Sequence, residues 1–115
     1  MKKIAILTCL NANRVCTGAG CLRAFNEKTG SFARYAEDGL LLMAFFHCPG
    51  CGISPAQDSG TLEKLERLEK IGVTCVHVGA CGMTDAGQNV LCPAMAELVE
   101  LLRQRGIGTV LRTHN

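Results

Sequence analysis

Residues 4–8 read Ile4-Ala5-Ile6-Leu7-Thr8, an unbroken, largely apolar run rich in branched side chains. A run without alternation of polar and apolar residues is typical of a strand buried on both faces of a parallel sheet. Two lysines precede the run and polar residues follow it from Asn11 onward, so it is too short for a membrane span and lacks a small-residue cleavage site. We interpret it as the first strand and expect a cytoplasmic protein.

Strand-like and helix-like patterns alternate along the rest of the chain. Further strands are predicted over 40–46, 73–78 and 108–111, and helices over 21–36, 61–71 and from Pro93 to Arg105. Thr29-Gly30 interrupts the first helical pattern, which is therefore one helix or two short ones. The alternation predicts an α/β fold, a single-domain three-layer sandwich with a four-stranded parallel sheet and three helices. The flavodoxin-like or Rossmann-like strand order 2-1-3-4 is its simplest closure.

The composition describes an ordinary globular domain and excludes two kinds of partner. With 115 residues, 48% of them apolar, the chain fits one domain over 1–115. A formal charge of +2, with four Phe, one Tyr and no Trp, argues against a surface that binds nucleic-acid phosphates or stacks bases. No apolar run approaches the length of a membrane-spanning helix, so we expect no membrane partner either.

The unusual feature is the presence of eight cysteines with only three histidines. A chain of this size does not need disulfides or a structural metal for stability, so its cysteines serve chemistry. In a cytoplasmic protein, a high thiol content indicates metal binding or redox chemistry.

Most of these cysteines follow the ends of predicted strands. Cys9 follows the first strand, Cys48 and Cys51 the second, and Cys81 the third, while His114 follows the fourth. The remaining edge cysteines lie in the adjoining loops and at the starts of helices. All of these positions lie at the carboxyl edge of a parallel sheet, where open α/β folds bind their ligands. The predicted metal ligands are Cys9, Cys16, Cys21, Cys48, Cys51, Cys81, Cys92 and His114.

Helix N-termini also point toward this edge, and we expect their partial positive charge to lower thiol pKa values and favour thiolates. Cys75 lies within the third strand and is predicted to be a core residue. His77 shares its face and is expected to be a hydrogen-bonded core histidine rather than a ligand. His47 is expected to point away from Cys48, in a supporting or exposed position.

A metal ion is the leading ligand, and zinc is the first choice for thiolates combined with an imidazole. Seven thiolates and one imidazole exceed one tetrahedral shell, so two zinc ions, or one site with spare thiols, both fit. Four thiolates from this edge would also hold an iron–sulfur cluster.

Two enzymatic alternatives use fewer cysteines. The segment Cys48-Pro49-Gly50-Cys51 has the spacing of a thiol–disulfide oxidoreductase, although such an enzyme does not need seven edge cysteines, and thioredoxin-like proteins contain antiparallel strands that this pattern lacks. A low-molecular-weight phosphatase would need five residues between Cys9 and its arginine. Here four separate Cys9 from Arg14, and the loop lacks a phosphate cradle, so we reject this class.

The sequence resembles the CGGC domain family, small cysteine-rich proteins whose pattern suggests binding of zinc or another metal. The resemblance runs nearly end to end, through Ile4-Ala5-Ile6-Leu7-Thr8-Cys9, Cys16-Thr17-Gly18, Cys21-Leu22-Arg23-Ala24-Phe25-Asn26, Gly30-Ser31-Phe32-Ala33-Arg34-Tyr35, the Cys48–Cys51 pair, Val76-His77-Val78 leading to Cys81, Cys92-Pro93 and Thr113-His114. Two positions depart from it, since Pro49 replaces a motif glycine and Arg112 stands where a glycine is expected. The resemblance implies metal binding and leaves catalysis open.

Overall fold

The computed structural model describes residues 1–35, 39–83 and 91–114. It contains four strands: β1 (Lys2–Thr8), β2 (Leu40–His47), β3 (Cys75–Val78) and β4 (Gly108–Leu111). Its three α-helices are α1 (Ala19–Glu27), α2 (Ser59–Lys70) and α3 (Pro93–Gln104). The strands form one parallel sheet in the order β2-β1-β3-β4, which confirms the predicted α/β fold and the 2-1-3-4 order.

β1 lies inside the sheet and is covered on both faces, as its unbroken apolar sequence predicts. Ala5 and Leu7 face a core formed with α2 and α3, to which Leu65, Leu98 and Leu102 contribute. Ile4 and Ile6 face a second core on the opposite side, with α1. The helices therefore cover both faces of the sheet, and the carboxyl ends of the strands remain at one edge of the molecule.

The helical pattern over 21–36 divides at Thr29-Gly30, as the sequence indicates. α1 ends at Glu27, and a 3₁₀ helix begins at Gly30 and runs to Tyr35. Ala36, the predicted end, lies outside the described residues. Gly30 has φ +55°, and a side chain there would overlap the carbonyl oxygen of Thr113. This glycine therefore allows the 3₁₀ helix to lie directly against the segment after β4.

A β-bulge interrupts the edge strand β2. Ile4 of β1 pairs with Leu42, but the next residue, Ala5, pairs with Ala44, so Met43 has no partner on β1. In a regular strand, residues 42 and 44 would face the same side of the sheet. Because of the extra residue, Leu42 packs toward α1 whereas Ala44 packs toward α2.

Several element boundaries differ from the prediction by one or two residues, and two of these differences have a visible cause. α2 begins at Ser59 rather than Thr61, because the carboxylate of Asp58 accepts hydrogen bonds from the backbone N–H and the hydroxyl of Thr61, at 2.9 and 2.6 Å. β3 begins at Cys75 rather than Val73, although Val73 is buried in the core. Among the described residues, none of the helices is long and apolar enough to cross a membrane.

Candidate metal centre

The carboxyl ends of the strands converge as the parallel topology requires. The backbone N–H of Cys48 donates to the carbonyl of Thr8 at 3.1 Å, and that of Gly79 donates to Leu7 at 2.8 Å. Thr113 continues the ladder by donating its N–H to the carbonyl of Val78 at 3.0 Å. These bonds fix the segments that carry Cys9, Cys48, Cys81 and His114 at one edge.

Backbone amides of the first loop surround the edge sulfurs. Four such amides donate to four different cysteine sulfurs: Cys9 N to Cys81 Sγ at 3.2 Å, Leu10 N to Cys48 Sγ at 3.3 Å, Ala12 N to Cys9 Sγ at 3.5 Å and Gly18 N to Cys16 Sγ at 3.3 Å. Hydrogen bonds of this kind stabilise the charged form of a sulfur. The loop after β1 therefore supports thiolates that come from three different segments.

Cys21 and Cys81 are neighbours across Gly79. A Cβ atom placed at Gly79 would lie 3.4 Å from each of the two sulfurs and 3.3 Å from the methyl group of Thr8. The Cys21 sulfur also lies 3.0 Å from the hydroxyl of Thr113. The absence of a side chain at Gly79 thus leaves room between two thiols that belong to α1 and to the turn after β3.

Burial raises the pKa values of both of these thiols. Cys21 lies in the first turn of α1, but burial raises its pKa against the lowering effect of the Thr113 hydroxyl, and the Cys16 thiol raises it further. Burial of the Cys81 sulfur also raises its pKa, opposed by the N–H of Cys9, and the nearby thiols of Cys9, Cys21 and Cys16 add to the increase. The expectation of lowered pKa values is therefore wrong for these two residues, because partial burial and the neighbouring thiols disfavour a charged sulfur.

These mutual effects define a group that we call the thiol cluster, comprising Cys9, Cys16, Cys21 and Cys81. Its members interact electrostatically, since a charge on one raises the pKa of another. Either protonation of the thiolates or a bound cation would relieve this repulsion. All eight cysteines of the chain are free thiols.

The Cys48-Pro49-Gly50-Cys51 turn lies next to the thiol cluster. Cys48 is 5% exposed and packs in the core on the α2 and α3 side, whereas Cys51 is exposed. Gly50 has φ +117°, so this motif glycine occupies a conformation that other residues rarely adopt. Pro49, the departure from the family motif, precedes it without disturbing that requirement.

The last two predicted ligands lie at the margins of the same edge. Cys92 directly precedes α3, and its N–H donates to the carbonyl of Gly82, beside Cys81, at 3.1 Å. The His114 imidazole packs over Gly20 in the first turn of α1, where its Nε2 atom lies 2.9 Å from the position of a Cβ. Arg112 has φ +66°, which explains why the family pattern leads one to expect glycine there.

The predicted ligands lie at the same edge of the sheet, but their side chains do not surround one common point. Within residues 1–35, 39–83 and 91–114, no three His, Cys, Asp or Glu side chains form a group that could hold a metal ion. Side chains of the thiol cluster would have to turn toward one another to complete a tetrahedral shell. The assignment of individual ligands therefore stays a prediction.

The three residues expected to lie outside the ligand set have clear roles. His77 is fully buried, with Nδ1 2.7 Å from the Ser31 hydroxyl and Nε2 2.8 Å from the Tyr35 hydroxyl, which confirms a hydrogen-bonded core histidine. Cys75 is half-buried at the start of β3 and packs on the α1 side. His47 points to the Thr8 hydroxyl, 2.8 Å from its Nδ1, and so supports the residue that precedes Cys9.

Sequence reasoning did not assign roles to Thr113, Asn13 or Gly79. Thr113 is fully buried and contacts the Cys21 sulfur. The amide of Asn13 donates to the Thr8 hydroxyl at 2.9 Å and to the Cys9 carbonyl at 2.6 Å, which fixes the loop around Cys9. The Thr113-His114 motif could have drawn attention to Thr113. Nothing in the spacing of the sequence indicates a role for Asn13 or Gly79.

The fold and this edge define an α/β protein with a cysteine-rich carboxyl edge. A model of the CGGC domain family matches residues 3–114 of the 115-residue chain. The chain therefore belongs to the CGGC domain family, a membership that points to metal binding in general without specifying the metal. No curated protein and no solved structure matches the chain.

Proposed function

We propose that this chain binds zinc through thiolates at the carboxyl edge of its sheet. The observation that carries the proposal is the set of four backbone amides that donate to four cysteine sulfurs in and beside the thiol cluster. Amide donors around sulfur are the supporting interactions that metal thiolates require, since they disperse the negative charge of the bound ligands.

The thiol cluster is the best candidate for the ligand set. Its four sulfurs match the number of ligands in a structural zinc site, and thiolates are preferred zinc ligands. Their mutual repulsion as thiolates would be offset by the positive charge of the ion, and binding would release the thiol protons. Cys48, Cys51, Cys92 and His114 border this cluster and would serve as alternative or additional ligands.

Elemental analysis tests the proposal most directly. Protein purified under reducing conditions, without added metal or chelator, should contain zinc and show no visible absorbance. Visible charge-transfer bands with a matching iron content would indicate the iron–sulfur alternative instead. Protein that holds no metal, and takes up none when titrated with zinc, would contradict the proposal.

Variants of the thiol cluster should then locate the site. Cys9→Ser and Cys81→Ser should each reduce the zinc content, whereas Cys75→Ser should not. Cys75 is the matched control because it is half-buried, like Cys9, but it lies at the amino end of β3, away from the carboxyl edge of the sheet. Equal zinc content in all three variants would show that the thiol cluster is not the site.

A second function, thiol–disulfide exchange, is favoured by the asymmetry of the Cys48 and Cys51 pair. Cys51 is exposed and Cys48 is buried, which suits an attacking thiol followed by a resolving one. The Cys51 thiolate would attack a substrate disulfide and release one substrate thiolate. Cys48 would then attack the mixed disulfide, forming the Cys48–Cys51 disulfide and releasing the second thiolate.

Substitutions of this pair separate the two functions. If metal binding includes this turn, Cys48→Ser and Cys51→Ser should lower the bound metal and leave thiols that oxidise more readily. If exchange is the function, the metal content should not change, and Cys48→Ser should trap a mixed disulfide on Cys51. A wild-type protein without metal that reversibly forms this disulfide would favour exchange over zinc binding.

A further inference from the structure

We propose that Cys21 and Cys81 together bind one soft monovalent cation, represented by Cu(I), in the space above Gly79. The inference rests on the proposed function, because it assumes that the thiolates at this edge bind metal. It adds a second class of ion, one that two thiolates can bind without a complete tetrahedral shell. The structural basis is that two sulfurs lie equally close to the Cβ position of a residue that has no side chain.

The space is bounded by the two sulfurs and one methyl group. Each sulfur lies 3.4 Å from the position that a Cβ atom would take at Gly79, so the two sulfurs are at most twice that distance apart. The Thr8 methyl group closes the side nearest to β1. Cys21 is buried and Cys81 is exposed, which gives the space one inner ligand and one accessible ligand through which an ion can enter.

Each sulfur already has a hydrogen-bond partner that would remain when a metal is bound. Cys81 accepts the N–H of Cys9 at 3.2 Å, and the Cys21 sulfur lies 3.0 Å from the Thr113 hydroxyl, which would donate to a thiolate. A monovalent ion with two thiolates carries a net negative charge, and these two donors face that charge.

The number of neighbouring donors selects the class of ion. Zinc requires four ligands, and within the described residues no three candidate side chains form a group that could hold a metal. Cu(I) is a closed-shell soft ion that thiolates select and that is satisfied by two of them. The pair therefore supplies the two thiolates that Cu(I) needs, whereas zinc would also need Cys9 and Cys16 to turn inward. The two ions would compete for Cys21 and Cys81.

Gly79→Ala provides a test that removes no thiol. Gly79 has φ −63° and ψ 155°, a backbone conformation that alanine adopts readily, and the new methyl group would contact both sulfurs and occupy the space between them. Gly60→Ala is the matched control, because outside its own helix backbone and chain neighbours the described residues bring only a carboxylate oxygen of Asp58 near its Cβ position, at 3.6 Å. Circular dichroism and a count of eight thiols in denaturant would show that both variants are intact.

The experiment is an anaerobic titration of the reduced, metal-free protein with Cu(I) against bathocuproine disulfonate. Wild type and Gly60→Ala should bind one Cu(I) per chain. Cys81→Ser should weaken binding about 100-fold or more, and Gly79→Ala should weaken it about tenfold, in line with the effects of lost ligands and disturbed surroundings. Cys75→Ser, at the amino end of β3, should bind as the wild type does.

Unchanged Cu(I) affinity in both Cys81→Ser and Gly79→Ala would overturn the inference, as would loss of Cu(I) in Cys75→Ser alone. Because Cys21 is part of the core, Cys81→Ser and Gly79→Ala carry the test if Cys21→Ser does not fold. A protein that binds zinc through the thiol cluster but fails to bind Cu(I) would overturn this inference and leave the proposed function standing. A protein that binds neither ion would overturn both.

Discussion

His77 illustrates how a single buried histidine is held in its neutral form. Its ring stacks on Phe32, with the ring centroids 4.4 Å apart, and both nitrogens contact hydroxyl groups. Burial, and secondarily the positive charge of Arg34, lower its pKa to about 4 from the ordinary value of 6.5. A neutral ring with one donor and one acceptor suits two hydroxyl partners, whereas the protonated ring would have two donors.

We expect this residue to make the protein less stable as the pH falls from 6.5 to 4. In that interval the unfolded chain binds a proton at His77 and the folded chain does not, so the stabilisation is complete above pH 6.5 and is lost toward pH 4. The difference in pKa corresponds to about 3 kcal/mol of unfolding free energy. Urea unfolding of the metal-free protein at several pH values measures it.

His77→Gln should be less stable at neutral pH and should lose this part of the pH dependence. An identical slope in wild type and His77→Gln would show that His77 is not the group responsible.

Cys75 should be dispensable for metal binding. It is half-buried at the amino end of β3, and burial raises the pKa of its thiol. Cys75→Ala should therefore leave the metal content unchanged and reduce the unfolding free energy by about 1 kcal/mol, the effect of removing one buried sulfur. Metal analysis of the purified variant, together with urea unfolding, measures both quantities. Loss of metal from this variant would show that ligands extend beyond the carboxyl edge.

At the scale of elements, α2 depends on the hydrogen bonds of Asp58. The carboxylate accepts from the N–H and the hydroxyl of Thr61, and these two bonds lower its pKa. Asp58→Ala should reduce the unfolding free energy by about 1 kcal/mol, whereas Asp58→Asn keeps an acceptor and should cost less. Thermal unfolding of the two variants tests this, and equal losses in both would show that the capping bond is not the cause.

The elements were largely predictable because their signals are local. Pro93 fixes the start of α3, and Thr29-Gly30 separates α1 from the 3₁₀ helix, since each acts on its own backbone. The early start of α2 was missed because the apolar pattern begins at Thr61, after the cap. The start of β3 was misplaced because Val73 is buried before the strand pairing begins, so apolar character there does not coincide with strand structure.

The candidate site was predictable only in its location. Strand ends in a parallel sheet share an edge, so the alternation of elements brought Cys9 and Cys81 together. The spacing of residues along the chain does not show how deeply a side chain is buried. The raised pKa of Cys21, which follows from its burial beside Thr113, could therefore not be predicted. The space over Gly79 arises from two segments that are distant in sequence, which a reading along the chain does not reveal.

At the scale of the whole molecule, Gly30 joins the α1 side of the protein to the end of the chain. The Ser31 N–H donates to the Thr113 carbonyl at 3.3 Å, and Thr113 in turn reaches the Cys21 sulfur. A side chain at position 30 would overlap that carbonyl oxygen, and its φ of +55° disfavours any other residue. The packing of the 3₁₀ helix and the surroundings of Cys21 therefore depend on the same glycine.

Gly30→Ala should accordingly lower the unfolding free energy by more than the backbone strain at a positive φ alone would. Gly106→Ala is the matched control, because Gly106 has φ +78° and, apart from its chain neighbours, no heavy atom of the described residues lies within 4 Å of its Cβ position. The control should lose about 1 kcal/mol and Gly30→Ala about 3 kcal/mol or more. Urea unfolding compares them, and equal losses would mean that the segment after β4 moves aside without cost.

The register shift at Met43 bears on pairing between copies of this chain, because it falls in an outer strand of the sheet. Residues 40–46 are all apolar and form an outer strand of the sheet, on which Leu41 and Met43 are more than one-third exposed. A straight strand of this composition would be a template for fibril growth, since its free backbone groups can bind another chain. A bulge breaks the regular spacing of such groups and increases the local twist, so the shift at Met43 should hinder an incoming strand from staying in register along the full edge. One irregular residue would in this way disfavour self-recognition of an apolar sequence without placing a charge in it.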